Sequence, residues 1–352
     1  MNTLYGRKLE LKIVLNPKMV KFQTGDTETS DEGEAIIISQ DGFTPETLRV
    51  TFDIDYPGYK GWYYSEIIIY NFNLPTLMQV VKEGARVYLS AGYKEGNFGE
   101  IFSGFVFQSL FERENVTDYK LTLRCVDGAG IFDDNYCSTA LEAGHTQTTL
   151  MNAIMAYSQT KISTSGGKQI ELGQIQFPRA AVIFTTPAEA IRNALKFKSV
   201  TEAPNYEYFC TKGNIDMVSI TDPPDSNMIV ISPGSGGLIG TPVQTEYGAN
   251  FTCLLNPSIK LANPRKFVKI DMSTIKQLKA VHGQYLSILD QDMELQVIGL
   301  KHIGDTRGDD WYTYVTAINK GGKIPAGADE SISQRNLPEM MLKKEVDGVG
   351  TI

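Results

Sequence analysis

The amino-acid pattern predicts a mainly β protein with an α+β insertion: two tube-like β-barrel domains flanking a smaller α+β module. Three observations carry this. Short runs of alternating apolar residues, punctuated by Gly, Pro and Asn, fill residues 1–130 and return in 236–322. The longer stretches of helical spacing lie between them. The last hairpin of each β-rich region repeats one pattern. The chain therefore divides into an N-terminal barrel (1–130), a middle module (131–235), a second barrel (236–322) and a C-terminal tail (323–352). At 352 residues it exceeds one ordinary core.

In the first region, Leu9, Leu11, Ile13 and Leu15 alternate and stop at Asn16-Pro17, as a strand with one buried face does. Residues 23–34 are polar and acidic, a loop or hairpin tip. Ala35–Ser39 is apolar, and Val50, Phe52 and Ile54 share one side of the next strand. After the Tyr56-Pro57-Gly58 turn come Trp62, Tyr63 and Tyr64, then the run Ile67–Tyr70. Pro75 suits the start of a short helix over 76–81, which Gly84 closes. Arg86–Tyr93 is a strand, and Ile101–Phe111 and Tyr119–Val126 form a hairpin.

The middle module has helical spacing at Leu150, Ile154 and Tyr157, and again at Ala190, Ile191, Ala194, Leu195 and Phe197. Thr186 caps the second helix, with Pro187 at its first position. Residues 163–167 make a flexible turn, Tyr206–Ile220 a hairpin through Lys212-Gly213-Asn214, and Asp222–Asp225 a break. The second β region enters at Gly236-Gly237. Asn256-Pro257 and Asn263-Pro264 punctuate the strands Phe251–Leu255 and Phe267–Ile270. Residues 275–281 read as a loop or short helical turn, and Met293–Ile303 with Trp311–Ile318 as the last hairpin. Residues 334–345 read as a short helix in the tail.

Phe105–Asp127 (FVFQSLFERENVTDYKLTLRCVD) aligns without gaps on Val297–Asn319 (VIGLKHIGDTRGDDWYTYVTAIN), Asp118-Tyr119 matching Asp310-Trp311. Each copy closes a β-rich region, so one chain carries two similar barrels. Three such chains around a threefold axis would set six similar barrels in a ring.

No chemistry stands out. Net charge is −8, which disfavours gripping a nucleic-acid backbone and lets DNA slide past. No run approaches the ~20 apolar residues of a membrane span, and the N-terminus lacks an apolar signal core. Cys125, Cys137, Cys210 and Cys253 form no CxxC pair, and Cys125 and Cys253 read as buried thiols. His145, His282 and His302 share no metal-ligand spacing. Asp305, Asp309 and Asp310, near His302, read as a solvated hairpin turn, and Asp133-Asp134 as hydrated carboxylates rather than a glycosidase pair. Asp290-Gln291-Asp292 with Glu294 lacks the glycine and closing glutamate of a calcium loop. Residues 234–237 lack the Lys-Ser/Thr of a phosphate-binding loop. No catalytic, cofactor or metal residue is assigned. Trp62, Tyr63, Tyr64, Ile239 and Trp311 are the candidate interface residues.

Leu238-Ile239-Gly240-Thr241-Pro242, Cys253-Leu254-Leu255-Asn256-Pro257, Trp311-Tyr312-Thr313 and the stretch from Arg49 to Gly128 carry a family likeness. Here the sequence resembles the baseplate hub protein of contractile-tailed, Mu-like bacteriophages. The resemblance implies a homotrimer with two tube-like barrels per subunit around an inner channel. It implies tail tube protein above, a central spike below, baseplate wedge proteins alongside, and a fold shared with the hub of type VI secretion spikes. It brings no catalytic residues and no cofactor. The expected function is structural: a virion protein, assembled in the host cytoplasm, joining a sixfold tube to a threefold spike and lining a DNA channel, without membrane insertion. The alternatives are a cell-wall-binding or peptidoglycan-cleaving tail component, and a secretion spike hub.

Overall fold

The computed structural model describes residues 6–15, 35–42, 47–56, 63–73, 85–127, 136–158, 162–163, 176–196, 206–211, 214–219, 228–234, 237–244, 248–261, 267–270, 279–280 and 293–319. The expectations for 23–34, Trp62, the helix at 76–81 with Gly84, 164–167, 222–225, His282, 290–292 and the tail lie outside these residues.

The N-terminal strands are β1 (Arg7–Val14), β2 (Ala35–Asp41), β3 (Val50–Tyr56), β4 (Tyr63–Tyr70), β5 (Arg86–Tyr93), β6 (Phe98–Arg113) and β7 (Tyr119–Asp127). Their sequences alternate as the pleat requires. In β3, Val50, Phe52, Ile54 and Tyr56 are buried, while Thr51, Asp53 and Asp55 stand on the other face. The spatial order is β3-β4-β7-β6-β5-β1-β2, antiparallel throughout.

The middle module holds β8 (Cys137–Leu141), α1 (Gln147–Ser158), β9 (Ile162–Ser163), β10 (Ala181–Thr185), α2 (Pro187–Lys196), β11 (Tyr206–Thr211) and β12 (Asn214–Ser219). Met151 and Ile154 of α1 and Ile191 and Ala194 of α2 are buried. The Gln147 amide ties the helices together by donating to the Ala194 carbonyl at 3.0 Å. Thr186 stands at the start of α2, its carbonyl accepting the Ala190 N–H at 2.9 Å. β8 pairs with β10, and β9, β12 and β11 form a separate three-stranded sheet.

The C-terminal strands are β13 (Ile229–Ile231), β14 (Leu238–Gln244), β15 (Gly248–Leu254), β16 (Phe267–Ile270), β17 (Lys279–Ala280), β18 (Met293–Asp305) and β19 (Trp311–Asn319). β13, placed by composition with the middle module, pairs with β16. Lys279–Ala280, read as loop or helical turn, is a short strand beside β14. A two-residue bridge has no periodicity to read.

The two β regions are not separate bodies. All fourteen of their strands form one curled sheet, joined where β18 pairs with β3. Within it five strands recur in the same chain order and the same spatial order. β3-β4-β7-β6-β5 in the first half matches β14-β15-β19-β18-β16 in the second, antiparallel at each step. Core positions match too. Ser65, Ile67 and Ile69 of β4 correspond to Ala249, Phe251 and Cys253 of β15, and all six are buried.

Even an irregularity is copied. In β6 the register against β7 shifts between Val106 and Gln108, opposite Cys125 and Arg124. In β18 it shifts between Val297 and Gly299, opposite Ala317 and Thr316. The gapless alignment therefore holds for the second strand of each hairpin and is one residue off for the first. The ladders end at Arg113–Tyr119 and Gly304–Trp311, so the second loop is longer by one residue. β-bulges bend a strand at a set place, and this pair does so at equivalent places in both halves.

Candidate functional site

The seam between the halves is built from one long strand. Met293–Gln296 of β18 pairs with β16 of its own half, and Leu300–Asp305 pairs with β3 of the other. The bulge at Ile298 lies between the two segments.

The loop that ends β18 folds back over the N-terminal half. Thr306 N–H donates to the Val50 carbonyl at 3.0 Å, and Val50 N–H donates to Thr306 Oγ1 at 2.9 Å. Both carboxylate oxygens of Asp305 are engaged. Oδ1 accepts Arg49 Nε at 3.2 Å and the Arg307 amide at 2.8 Å, and Oδ2 accepts Arg49 Nη2 at 2.6 Å. Burial alone would raise the Asp305 pKa, but these donors hold it below its ordinary value, and Arg49 is raised in turn. Arg7, from the first strand of the chain, donates to the carbonyls of Asp305 (2.9 Å), Gly308 and Asp309 (2.9 Å). Its guanidinium lies 5.5 Å from the Trp311 ring centroid. Asp309 and Asp310 are exposed, as a solvated turn requires, but Asp305 is buried and makes the loop a clamp, with partners some 250–300 residues away in sequence.

Trp311 fills the core beneath. It is 1 % exposed. Its Nε1–H donates to the Gly92 carbonyl of β5 at 3.2 Å, and its ring meets Phe52 of β3 edge to face at 5.4 Å. Gly304 permits this, because a Cβ there would overlap the Phe52 ring and come within 2.9 Å of Trp311 Cε3. Asn256 adds a second tie. Its Oδ1 accepts the Ser258 amide (3.0 Å) and Asn97 Nδ2 (3.3 Å), linking the turn after β15 to the β5–β6 turn.

The outer face of the sheet runs across the seam with both signs of charge interleaved. Lys301 pairs with Asp53 at 2.9 Å and Arg124 with Glu66 at 3.0 Å. Lys8 sits over Phe98, and Arg86 over Tyr88. Asp55 beside Lys301 is raised from 3.8 to about 6, mainly by burial, with Lys301 opposing and Asp53 adding to the shift.

Of the candidate interface residues, Tyr63 and Tyr64 begin β4, opposite Asp127 and Val126. Ile239 is 38 % exposed on β14. Trp311 is a correction: a fully buried indole is not available to a partner subunit, and it joins the two halves of one chain instead. His302 is 2 % exposed, its Nδ1 2.9 Å from Thr313 Oγ1. Cys125 and Cys253 are buried free thiols, and burial pushes Cys253 up to about 12. Among the described residues no three His, Cys, Asp or Glu side chains gather as a metal site, and no helix is long and apolar enough to cross a membrane. The clamp roles of Arg7, Arg49 and Thr306 are not legible in the sequence, because lone arginines and threonines carry no local signal.

No protein-family profile matches the chain, and no curated protein sequence matches it. Solved structures do. The 43 kDa tail protein of prophage MuSo2 from Shewanella oneidensis is similar at TM-score 0.53 and 9 % identity, over 90 % of this chain and 98 % of that one. A tail protein from Neisseria meningitidis MC58 is similar at TM-score 0.50 and 11 % identity, with the same coverage. A chain of the Francisella PdpA-VgrG complex is similar at TM-score 0.50 and 12 % identity, over 93 % of this chain and 60 % of that one. The chain therefore has a mainly β phage-tail fold. More particularly, 90 % of its length matches the fold of these two tail proteins.

Trp311→Ala should cost about 3–5 kcal/mol, and Gly304→Ala about 1–3 kcal/mol. In Trp311→Ala, hydrogen exchange should show protection falling in β3 and β5 as well as in β19. The two seam carboxylates should respond oppositely to pH. Asp305 is depressed in the fold, so its stabilisation is present at neutral pH and lost as pH falls through the depressed value. Asp305→Asn should therefore be less stable than wild type at pH 7, the gap closing in acid. Asp55 is raised, so it favours the fold below 3.8 and loses that contribution as pH rises through about 6. Asp55→Asn should be more stable than wild type at pH 8 and equal to it below pH ~4. Thermal melts across this range check both signs.

Proposed function

We propose that the protein is a structural hub of a phage-type tail baseplate, a homotrimer that joins a sixfold tail tube to a threefold spike. The observation that carries the reading is the five-strand unit present twice in one sheet. Three chains then supply six similar units, so one face can meet a sixfold ring while the rest keeps threefold symmetry. The likeness in fold to two tail proteins, one of them from a prophage, supports the same reading.

The expected partners are tail tube protein, central spike and baseplate wedge proteins, and the location is the virion, after assembly in the host cytoplasm. DNA would pass without specific binding. The interleaved and paired charges of the outer face support this, since holding a polyphosphate rests on clustered cations. The role is mechanical, with no catalytic step. The four-domain division (1–130, 131–235, 236–322, 323–352) belongs to this proposal, with residues 229–231 joining the second β unit through β13. The likeness to a chain of a VgrG complex favours a second reading, a spike hub of a secretion machine. A neighbouring gene for a tail sheath, rather than for secretion machinery, would decide between them.

Native mass measurement of the full chain, alone and with tube and spike proteins, should give three times the 39.0 kDa chain mass. Electron microscopy should show a ring with six similar lobes. A chain that stays monomeric in every context would overturn the hub.

A further inference from the structure

β6 and β18 are equivalent strands, and each has two edges. One edge of each pairs with the second strand of its own hairpin. On the other edge β18 uses Leu300–Asp305 to hold β3. Allowing for the one-residue loop difference, Leu110, Phe111, Glu112 and Arg113 of β6 correspond to Lys301, His302, Ile303 and Gly304. β5 covers β6 only from Phe98 to Phe105. Among the described residues, no strand pairs with that edge at Leu110–Arg113.

Amide directions match as well. Glu114 N–H donates to the Asp118 carbonyl at 2.9 Å. Antiparallel alternation then turns the amides of Glu112 and Leu110 toward β7, and those of Arg113 and Phe111 away from it. In β18, Asp305 N–H donates to the Asp310 carbonyl at 2.7 Å, which turns Gly304 and His302 toward β3 by the same rule. Beside the open edge, Phe111 and Tyr119 stack at 5.5 Å, each 40 % exposed. A strand edge with outward amides and exposed aromatics is a template for strand addition.

We propose that this edge takes up β14 of a second copy of the chain, repeating between subunits the β18·β3 junction found within one. The inference rests on the trimer reading above and names its contact. β14 is the equivalent of β3. Carried through the paired strands, the β18·β3 register sets Glu112 opposite Val243 and Phe111 opposite Gln244. In the single chain those two residues pair with β15 on one edge and, among the described residues, with the dipeptide β17 on the other, in parallel; the incoming strand replaces β17. Exposed Ile239 lies on the same strand. Alternating the internal and external junctions closes three chains into a ring of six units.

The test is a cysteine pair, Glu112→Cys with Val243→Cys, in the full chain. Directly opposed residues without mutual hydrogen bonds sit about 4.5 Å apart at Cα, within disulfide reach. Mild oxidation of the assembled protein should give covalent dimers and trimers that reductant dissolves, while either single variant stays uncrosslinked. Phe111→Pro should abolish the trimer and leave the melting temperature within a few degrees, because the lost amide faces away from β7. A trimer by native mass that fails to crosslink at this pair, crosslinks instead through Glu112→Cys with Ile239→Cys, or survives Phe111→Pro overturns the contact and leaves the trimer standing. A chain monomeric in every context overturns both.

Discussion

Everything in this structure depends on the hydrogen-bonded ladder between Leu300–Asp305 and Thr51–Tyr56. It turns two β units into one sheet. Backbone groups at a strand edge must be paired or wetted, and the ladder satisfies one edge of each unit with the other. Trp311, Phe52 and Gly304 then fill the space under the ladder, and Arg49, Arg7 and Asp305 close its end. The ion pair is a modest contributor, since Arg49 is 41 % exposed, and the buried indole carries more of the stability.

A shared sheet has a mechanical consequence. Two domains on a flexible linker could rock against each other. Two units joined by strand pairing resist that, because shear along the seam would break a row of hydrogen bonds at once. The bulge at Ile298 lets one strand serve both units while staying continuous. A part that transmits load between a tube and a spike needs that stiffness, which fits the proposed hub.

The duplication and the proposed assembly share one geometry. The internal junction uses the far half of β18, and its counterpart in β6 has no strand on that edge among the described residues. In the proposed ring, the junction that joins the twins within a chain would be repeated between one chain and the next. The middle module lies between the two units in sequence and forms its own small sheets.

Local periodicity in the sequence already determined most of the long strands, the two helices and the hairpin repeat, but not the short strands Cys137–Leu141, Ala181–Thr185 and Lys279–Ala280. Alternation in VTFDIDY or helical spacing in 187–196 is written within ten residues and follows from backbone geometry alone. The sequence also held the duplication, though loop length hid the one-residue offset. Only the tertiary structure decided that the halves share a sheet, that Trp311 is core rather than interface, and that the Asp305 loop is a clamp. Each of these rests on partners some 220 to 300 residues apart, and pairing over that distance leaves no mark on the residues beside it.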